Sequence, residues 1–223
     1  MAVRSRPRPE APRTRTTAVA TAAAPRARRA RPAASARRDP APGAKLPLAR
    51  PYPPMEARSV DRLPTGAQWQ YEPKWDGFRC LAFRNGDVVQ LQSKAGEPLE
   101  RYFPELVDAL RAVAAPRFVL DGEIVIPKGS FNDLQLRIHP AESRILKLAA
   151  ATPAQLVVFD LLVDQKGELV AERALAHRRA LLELFAERHL PGPRFALSPA
   201  TCDPRIAQQW AEGAHGVLDG VIA

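Results

Sequence analysis

Asn85-Gly86 stands between two apolar runs, Phe78-Arg79-Cys80-Leu81-Ala82-Phe83 and Asp87-Val88-Val89-Gln90-Leu91-Gln92, and no other feature limits the fold as strongly. Asn-Gly tolerates the positive φ angles of a two-residue turn, so the runs are expected to pair as an antiparallel hairpin. Nothing after it restores a repeated strand-helix-strand rhythm. Pro104 occupies a favoured first helical position, and Leu106, Leu110 and Val113 follow at helical spacing, which predicts a helix to about residue 114. Residues 118–126 read as a strand, 132–138 and 141–150 as short helices, and 156–163 as a buried strand that Lys166-Gly167 turns outward. Residues 172–189 place Leu175, Leu182 and Phe185 on one face of a surface helix; 204–213 read as another helix, and a last strand begins at 217. The sum is an α+β domain with antiparallel sheets rather than a doubly wound one.

Composition divides the chain near residue 45. Residues 1–45 are Ala, Pro, Arg and Thr, with no aromatic residue and no periodic apolar face, and are expected to be disordered; the folded domain is expected over 46–223. Residues 1–50 hold twelve Arg and one Lys against Glu10 and Asp39, a net charge of +11, so the rest of a chain of net charge +9 is slightly acidic. The basic tail is either an electrostatic tether to DNA phosphates or an extension biased in composition without a role. Its Arg-rich, acid-poor character also matches a transit peptide, though Ser is scarce and Pro frequent. Cys80 and Cys202 show no pairing pattern, which argues against a disulfide framework and a thiolate zinc site and suits a reducing compartment. No window approaches the roughly 18 to 20 apolar residues of a membrane span.

Tyr71-Glu72-Pro73-Lys74-Trp75-Asp76-Gly77-Phe78-Arg79 places a lysine at the turn between two strand-like segments. A lysine attacks an electrophile only as the neutral amine, which burial or a neighbouring cation favours. Trp75 and Phe78 are candidates for apolar cover. Alone, the stretch equally describes a solvated lysine paired with Asp76. Glu123, an acid inside the apolar strand Leu120-Asp121-Gly122-Glu123-Ile124-Val125-Ile126, needs a partner and reads as a site residue. His139, His177, His189 and His215 lack metal-ligand spacing and read as structural or surface residues.

Glu-Pro-Lys-Trp-Asp-Gly-Phe-Arg resembles the nucleotidyltransferase signature of ATP-dependent DNA ligases, and four further strings resemble the family's other motifs in order. The resemblance covers about residues 46–223, and Arg137-Ile138-His139-Pro140-Ala141-Glu142-Ser143-Arg144 is similar to the short bacterial ligases of this family. It implies an ATP-grasp-like nucleotidyltransferase domain with antiparallel sheets flanked by helices. By the same resemblance Lys74 is the catalytic lysine that becomes linked to AMP, Glu72 approaches the adenine, and Arg79 contacts the ribose or the phosphate of the nick. Ser93-Lys94-Ala95-Gly96, followed by Tyr102-Phe103-Pro104-Glu105-Leu106, is similar to the second motif, with Lys94 in place of the usual arginine; the charge is kept and the bidentate fork lost, so contact to ribose or nick phosphate is expected to be looser. Glu123 is implied near the ribose and the metal. Phe159, in Val157-Val158-Phe159-Asp160-Leu161-Leu162, is implied as the ring that stacks on adenine. Asp219, in Leu218-Asp219-Gly220-Val221-Ile222-Ala223, replaces the commoner glutamate of a metal-binding motif.

The implied chemistry is transfer of AMP from ATP to Lys74, with Mg²⁺ or Mn²⁺ held by Glu123 and Asp219, and from there to the 5′-phosphate of nicked double-stranded DNA. A monomer in the bacterial cytoplasm, associated with the nucleoid and with no membrane partner, is expected. The sequence ends at Ala223, where the motif's lysine would come next, so the chain is expected to be truncated before the fifth motif and the OB-fold domain and to have severely reduced activity alone. An RNA ligase or capping-type nucleotidyltransferase shares the lysine motif, and an inactive ligase fragment that only binds nucleic acid is the non-enzymatic alternative. An NAD-dependent ligase fits less well, since no cysteine zinc cluster accompanies the motif.

Overall fold

The expected hairpin forms with Gly86 at φ 64°, and its strands pair from Asn85↔Val88 to Cys80↔Ser93. The structure, a computed structural model, describes residues 18–21, 45–213 and 218–223. Its strands are β1 (Ala18–Thr21), β2 (Ala57–Val60), β3 (Glu72–Trp75), β4 (Phe78–Asn85), β5 (Val88–Ser93), β6 (Arg117–Val125), β7 (Gln155–Val163), β8 (Phe195–Leu197) and β9 (Leu218–Ile222). Its helices are α1 (Pro104–Ala112), α2 (Phe131–Gln135), α3 (Glu142–Ala151), α4 (Leu175–His189) and α5 (Pro204–Glu212), with a 3-10 turn at Glu100–Tyr102.

The larger sheet has the order β5-β4-β6-β7-β8, and all its pairs are antiparallel except β7 with β8. β6 is central and almost wholly buried, as its run Phe118-Val119-Leu120 requires. One face packs Ala82, Leu120, Ile124 and Val158 against Leu106 and Leu110 of α1 and Leu182 and Phe185 of α4. Phe118 meets Phe185 edge-on with ring centroids 5.1 Å apart, and each such buried ring contributes about 1.5–3 kcal/mol of transfer free energy. The other face carries Leu81, Phe83, Val119 and Leu162, covered by Leu46, Leu48 and Tyr52 from the segment before β2.

The smaller sheet has the order β2-β1-β9-β3. α5 lies on it, with Ala207 and Trp210 joining Tyr71 and Val221. α5 begins as Asp203-Pro204 suggests: the Asp203 carboxylate accepts the Arg205 N–H at 2.9 Å and Pro204 supplies the first helical residue. Tyr71 exchanges backbone hydrogen bonds with Thr201 at 2.7 and 2.9 Å, tying this sheet to the segment after β8. The two sheets are consecutive in the chain at Asp76-Gly77, between β3 and β4.

Three points differ from the reading above. β8 runs parallel to β7 and β1 parallel to β9, where only antiparallel pairs were expected. Leu175, assigned to the core face of its helix, is 38 % exposed, and Arg178 and Arg179 are buried instead. Within the tail expected to be disordered, Ala18–Thr21 is a strand between β2 and β9, in the longest stretch of the tail free of charge. Residues 1–17 and 22–44, together with His215 and Val217, lie outside the described residues. Among the described residues no helix is long and apolar enough to cross a membrane.

Candidate active site

Lys74 is the next-to-last residue of β3, one sheet away from Arg79 at the start of β4. The turn that joins them closes tightly onto β6. A Cβ on Gly77 would stand 2.8 Å from Glu123 Cγ and against the Ile124 carbonyl oxygen, so only glycine lets the turn approach. Gly122 does the same on the other side of β6, where a Cβ would meet the Val157 carbonyl oxygen at 2.6 Å. The glycines of both Asp-Gly pairs are therefore spacers that draw three chain segments together around Glu123.

A bulge brings the second acid. Lys74 pairs with Gly220 across β9, but Trp75 pairs with Leu218, so Asp219 is the extra residue. Gly220 takes φ 140°, a backbone angle that suits glycine alone, and the bulge turns the Asp219 side chain toward Lys74. The Lys74 ammonium forms an ion pair with Asp219 Oδ2, not with Asp76 as a simple turn would have it. Neither expected source of apolar cover lies free over the amine. Trp75 donates its indole N–H to Ser198 Oγ at 2.9 Å, and Phe78 packs edge-on to Phe131 and Phe103 with centroids 5.5 and 6.3 Å away.

Glu123 faces Arg79 across the β4–β6 ladder. Burial pushes its carboxyl up to about 8; Arg79 and then Lys74 pull it down, while Asp121 and Asp76 push it further up. Arg79 is held firmly: Nε and Nη2 donate to the two oxygens of the fully buried Asp121 at 2.5 and 2.6 Å, and Nη2 to the Met55 carbonyl at 3.3 Å. Its guanidinium lies 4.6 Å from the centroid of the Phe159 ring. Burial also pushes the Asp121 carboxyl up, against the pull of Arg79. On the residue after Phe159, Asp160 is gripped by Arg178 of α4, whose Nε and Nη2 lie 2.8–3.0 Å from the carboxylate oxygens.

Glu72, at the start of β3, accepts from Gln70 Nε2 at 2.8 Å and has Arg179 Nη1 3.9 Å from Oε1. Burial pushes its carboxyl up to about 7, with Arg179 the main opposing influence. Lys94 stands apart, on the exposed turn after β5, its ammonium 2.9 Å from Glu56. The structure therefore gathers Lys74, Arg79, Glu123 and Asp219 directly, puts Phe159 under the Arg79 guanidinium, sets Glu72 on the same strand as Lys74, and leaves Lys94 at the rim. His139 Nδ1 accepts the Ala141 N–H, His177 meets Arg173, and His189 packs on Phe185.

Asp121, Asp160, Arg178 and Arg179 were missed. The logic that singled out Glu123, an acid inside an apolar strand, applies equally to Asp121 and Asp160. For Arg178-Arg179 no local signal exists, because arginines on a helix are ordinarily solvated.

Residues 48–223 match the family described as ATP dependent DNA ligase domain. The chain is 46% identical over 186 residues to DNA ligase C2 of Mycolicibacterium smegmatis, covering 80% of this chain and 50% of that protein. It is also 46% identical over 187 residues to DNA ligase C of Mycobacterium tuberculosis, covering 80% and 51%. The chain spans about half the length of these curated relatives. Among solved structures, the ligase domain of M. tuberculosis LigD superposes with a TM-score of 0.52 at 24% identity, covering 70% of this chain and 48% of that one. A mycobacterial DNA ligase D complexed with ATP and MES gives 0.51 at 23%, with the same coverage. These two likenesses establish the fold.

Proposed function

Because the chain belongs to the ATP-dependent DNA ligase family, we propose that residues 46–223 are an adenylylation domain in which Lys74 takes AMP from ATP and passes it on to seal nicks in duplex DNA. The observation that carries this reading is that a β-bulge sets Asp219 against the Lys74 ammonium and two spacer glycines let the lysine turn close onto Glu123, which faces Arg79 across the ladder.

In this reading Lys74 Nζ attacks the α-phosphate in line, forming the N–P bond as the bond to pyrophosphate breaks. Asp219, in contact with the ammonium, is an acceptor for the proton the amine must shed. Phe159 offers its ring to the adenine, Glu72 approaches the base, and Arg79 and Lys94 reach the ribose or the nick phosphate. For Arg79 that means leaving or sharing the grip of Asp121, and for Lys94 giving up Glu56. Glu123 and Asp219 fit a hard divalent cation, Mg²⁺ or Mn²⁺, which takes one or two protein carboxylates with phosphate and water oxygens and offsets phosphate charge. The rest of the donor set would have to come from substrate, since among the described residues no group of three or more His, Cys, Asp or Glu is arranged to hold a metal.

The partner is nicked double-stranded DNA, met as a monomer in the bacterial cytoplasm at the nucleoid, with the basic tail of residues 1–45 contacting phosphates. The test is incubation with α-labelled ATP and magnesium followed by peptide mapping. AMP should appear on Lys74, however slowly, and be absent from Lys74→Arg; a Lys74 peptide that never carries AMP would refute the proposal. GTP labelling in place of ATP would indicate a capping-type enzyme.

A further inference from the structure

Arg179 is the one arginine of the buried pair on α4 that the fold does not use up. Arg178 is saturated by Asp160 and by the Arg173 carbonyl at 2.6 Å. Arg179 is 8 % exposed; its Nε donates to Glu183 at 2.7 Å, and its Nη1 is buried without a hydrogen-bond partner among the described residues. That unpartnered nitrogen is aimed at Glu72, 3.9 Å from Oε1, two residues before Lys74. A buried guanidinium nitrogen without a partner costs free energy that a merely structural arginine would avoid by turning to a carbonyl.

We propose that Arg179 is a specificity-determining residue of the nucleotide site: its buried guanidinium, 3.9 Å from Glu72 Oε1, favours the ionised, acceptor-only form of that carboxyl and so biases the site toward a purine that presents an exocyclic amino group over one that presents a carbonyl. The inference rests on the reading above that Glu72 approaches the base. An ionised carboxylate accepts from the amino group of adenine and repels O6 of guanine, whereas a protonated carboxyl can donate to O6, so the charge state of Glu72 decides which purine is favoured. Burial works against ionisation and pushes the group up to about 7. The groups that face it are Arg179 and Arg178 from α4, Asp160 from β7 and Gln70 from the segment before β3; Arg179 is the largest influence that favours the charged form. Arg179 acts through Glu72, so it is a positioning residue and not a catalytic one.

The experiment is equilibrium binding of ATP and of GTP to the full chain, with magnesium, between pH 6 and 9, for the unaltered protein, Arg179→Met and Arg179→Lys. The unaltered protein should prefer ATP by about ten- to a hundredfold above pH 8, the range covered by a hydrogen bond to a charged group. That preference should shrink as the pH falls through about 7, as Glu72 gains its proton. Arg179→Met should move this change to higher pH, so that preference is lost near pH 7.5 and returns in alkali, and Arg179→Lys should restore most of it. A preference for ATP with no pH dependence in the unaltered protein, or the same profile in Arg179→Met, overturns the inference and leaves the adenylylation reading intact. Failure of the unaltered protein to bind ATP at all overturns both. The unaltered protein's own profile decides the matter even if Arg179→Met does not fold.

Discussion

Replacing Arg137 by Met should destabilise the domain more than any single change outside the apolar core. Arg137 has no solvent exposure. It ties together the end of the 3-10 turn, α1, the segment after α2 and the end of α3: Nη2 donates to the Tyr102 carbonyl and to Glu105 Oε2, both at 2.8 Å, and Nη1 pairs with Glu105 Oε1 at 2.8 Å. The guanidinium also lies 5.0 Å from the centroid of Phe103, and Glu105 Oε1 accepts the Ala154 N–H at 3.0 Å. Met fills a similar volume, so the loss is electrostatic. Breaking a buried pair from one side costs about 3–5 kcal/mol, because the remaining charge is left unmatched. At about 2–4 °C per kcal/mol for a domain of this size, the melting temperature should fall by roughly 6–20 °C. Scanning calorimetry or urea unfolding of the full chain reads this directly. Arg137→Met combined with Glu105→Gln should be less destabilised than the sum of the single changes by about 1–3 kcal/mol, since neither charge is then stranded. A single variant that loses less than about 1 kcal/mol, or a double variant that is strictly additive, would show that the pair is not the latch described.

Gly77→Ala should slow Lys74 labelling by about a hundredfold, because the Ile124 carbonyl and Glu123 Cγ at 2.8 Å force the lysine turn outward, and displacements near 1 Å carry penalties of that order; near-normal labelling would mean that the turn relocates without cost. Stability of the nucleotide-free protein should fall from pH 5 to pH 8. Glu123, raised from 4.5 to about 8, contributes stability that is complete below its unfolded value and lost as pH rises through its folded one, and Glu72, raised to about 7, acts in the same sense. Glu123→Gln should therefore flatten the dependence and be more stable than the unaltered protein at pH 8 by on the order of a few kcal/mol, and thermal melts that stay parallel across this range would contradict it. Deleting residues 1–45 should weaken binding to duplex DNA and reduce the slope of log affinity against log salt, in a titration at several salt concentrations; an unchanged slope would mean that the tail's cations do not meet phosphates.

What the sequence made legible followed from short-range rules. Asn85-Gly86 determined the hairpin, Pro104 and Pro204 marked helix starts to the residue, and β6 and β7 could be read from apolar runs that isolated acids interrupt. The motif order also placed Lys74, Glu123 and Asp219 in one site before any geometry was known. What could not be read was set by tertiary partners. β8 is three residues long and owes its direction to β7, and Ala18–Thr21 becomes a strand only because β2 and β9 flank it. The burial of Arg178 and Arg179 depends on carboxylates some distance away in the chain.

Those hidden arginines give the site its electrostatic division of labour. Four carboxyls sit in or beside it on β3, β6 and β7, and burial pushes each of them upward. Two of them, Asp121 and Asp160, are matched at hydrogen-bonding distance by Arg79 and Arg178 and serve to orient those side chains. Glu72 and Glu123 have no guanidinium so close, and they are the pair raised to about 7 and about 8, within reach of neutral pH. A carboxyl in that range responds to an arriving charge by changing its protonation, whereas a tightly matched one does not. Glu72 and Glu123 are thus the acids of the site whose charge an arriving nucleotide or cation would switch, and the acids that the motif logic overlooked, Asp121 and Asp160, are the ones that keep the surrounding arginines still.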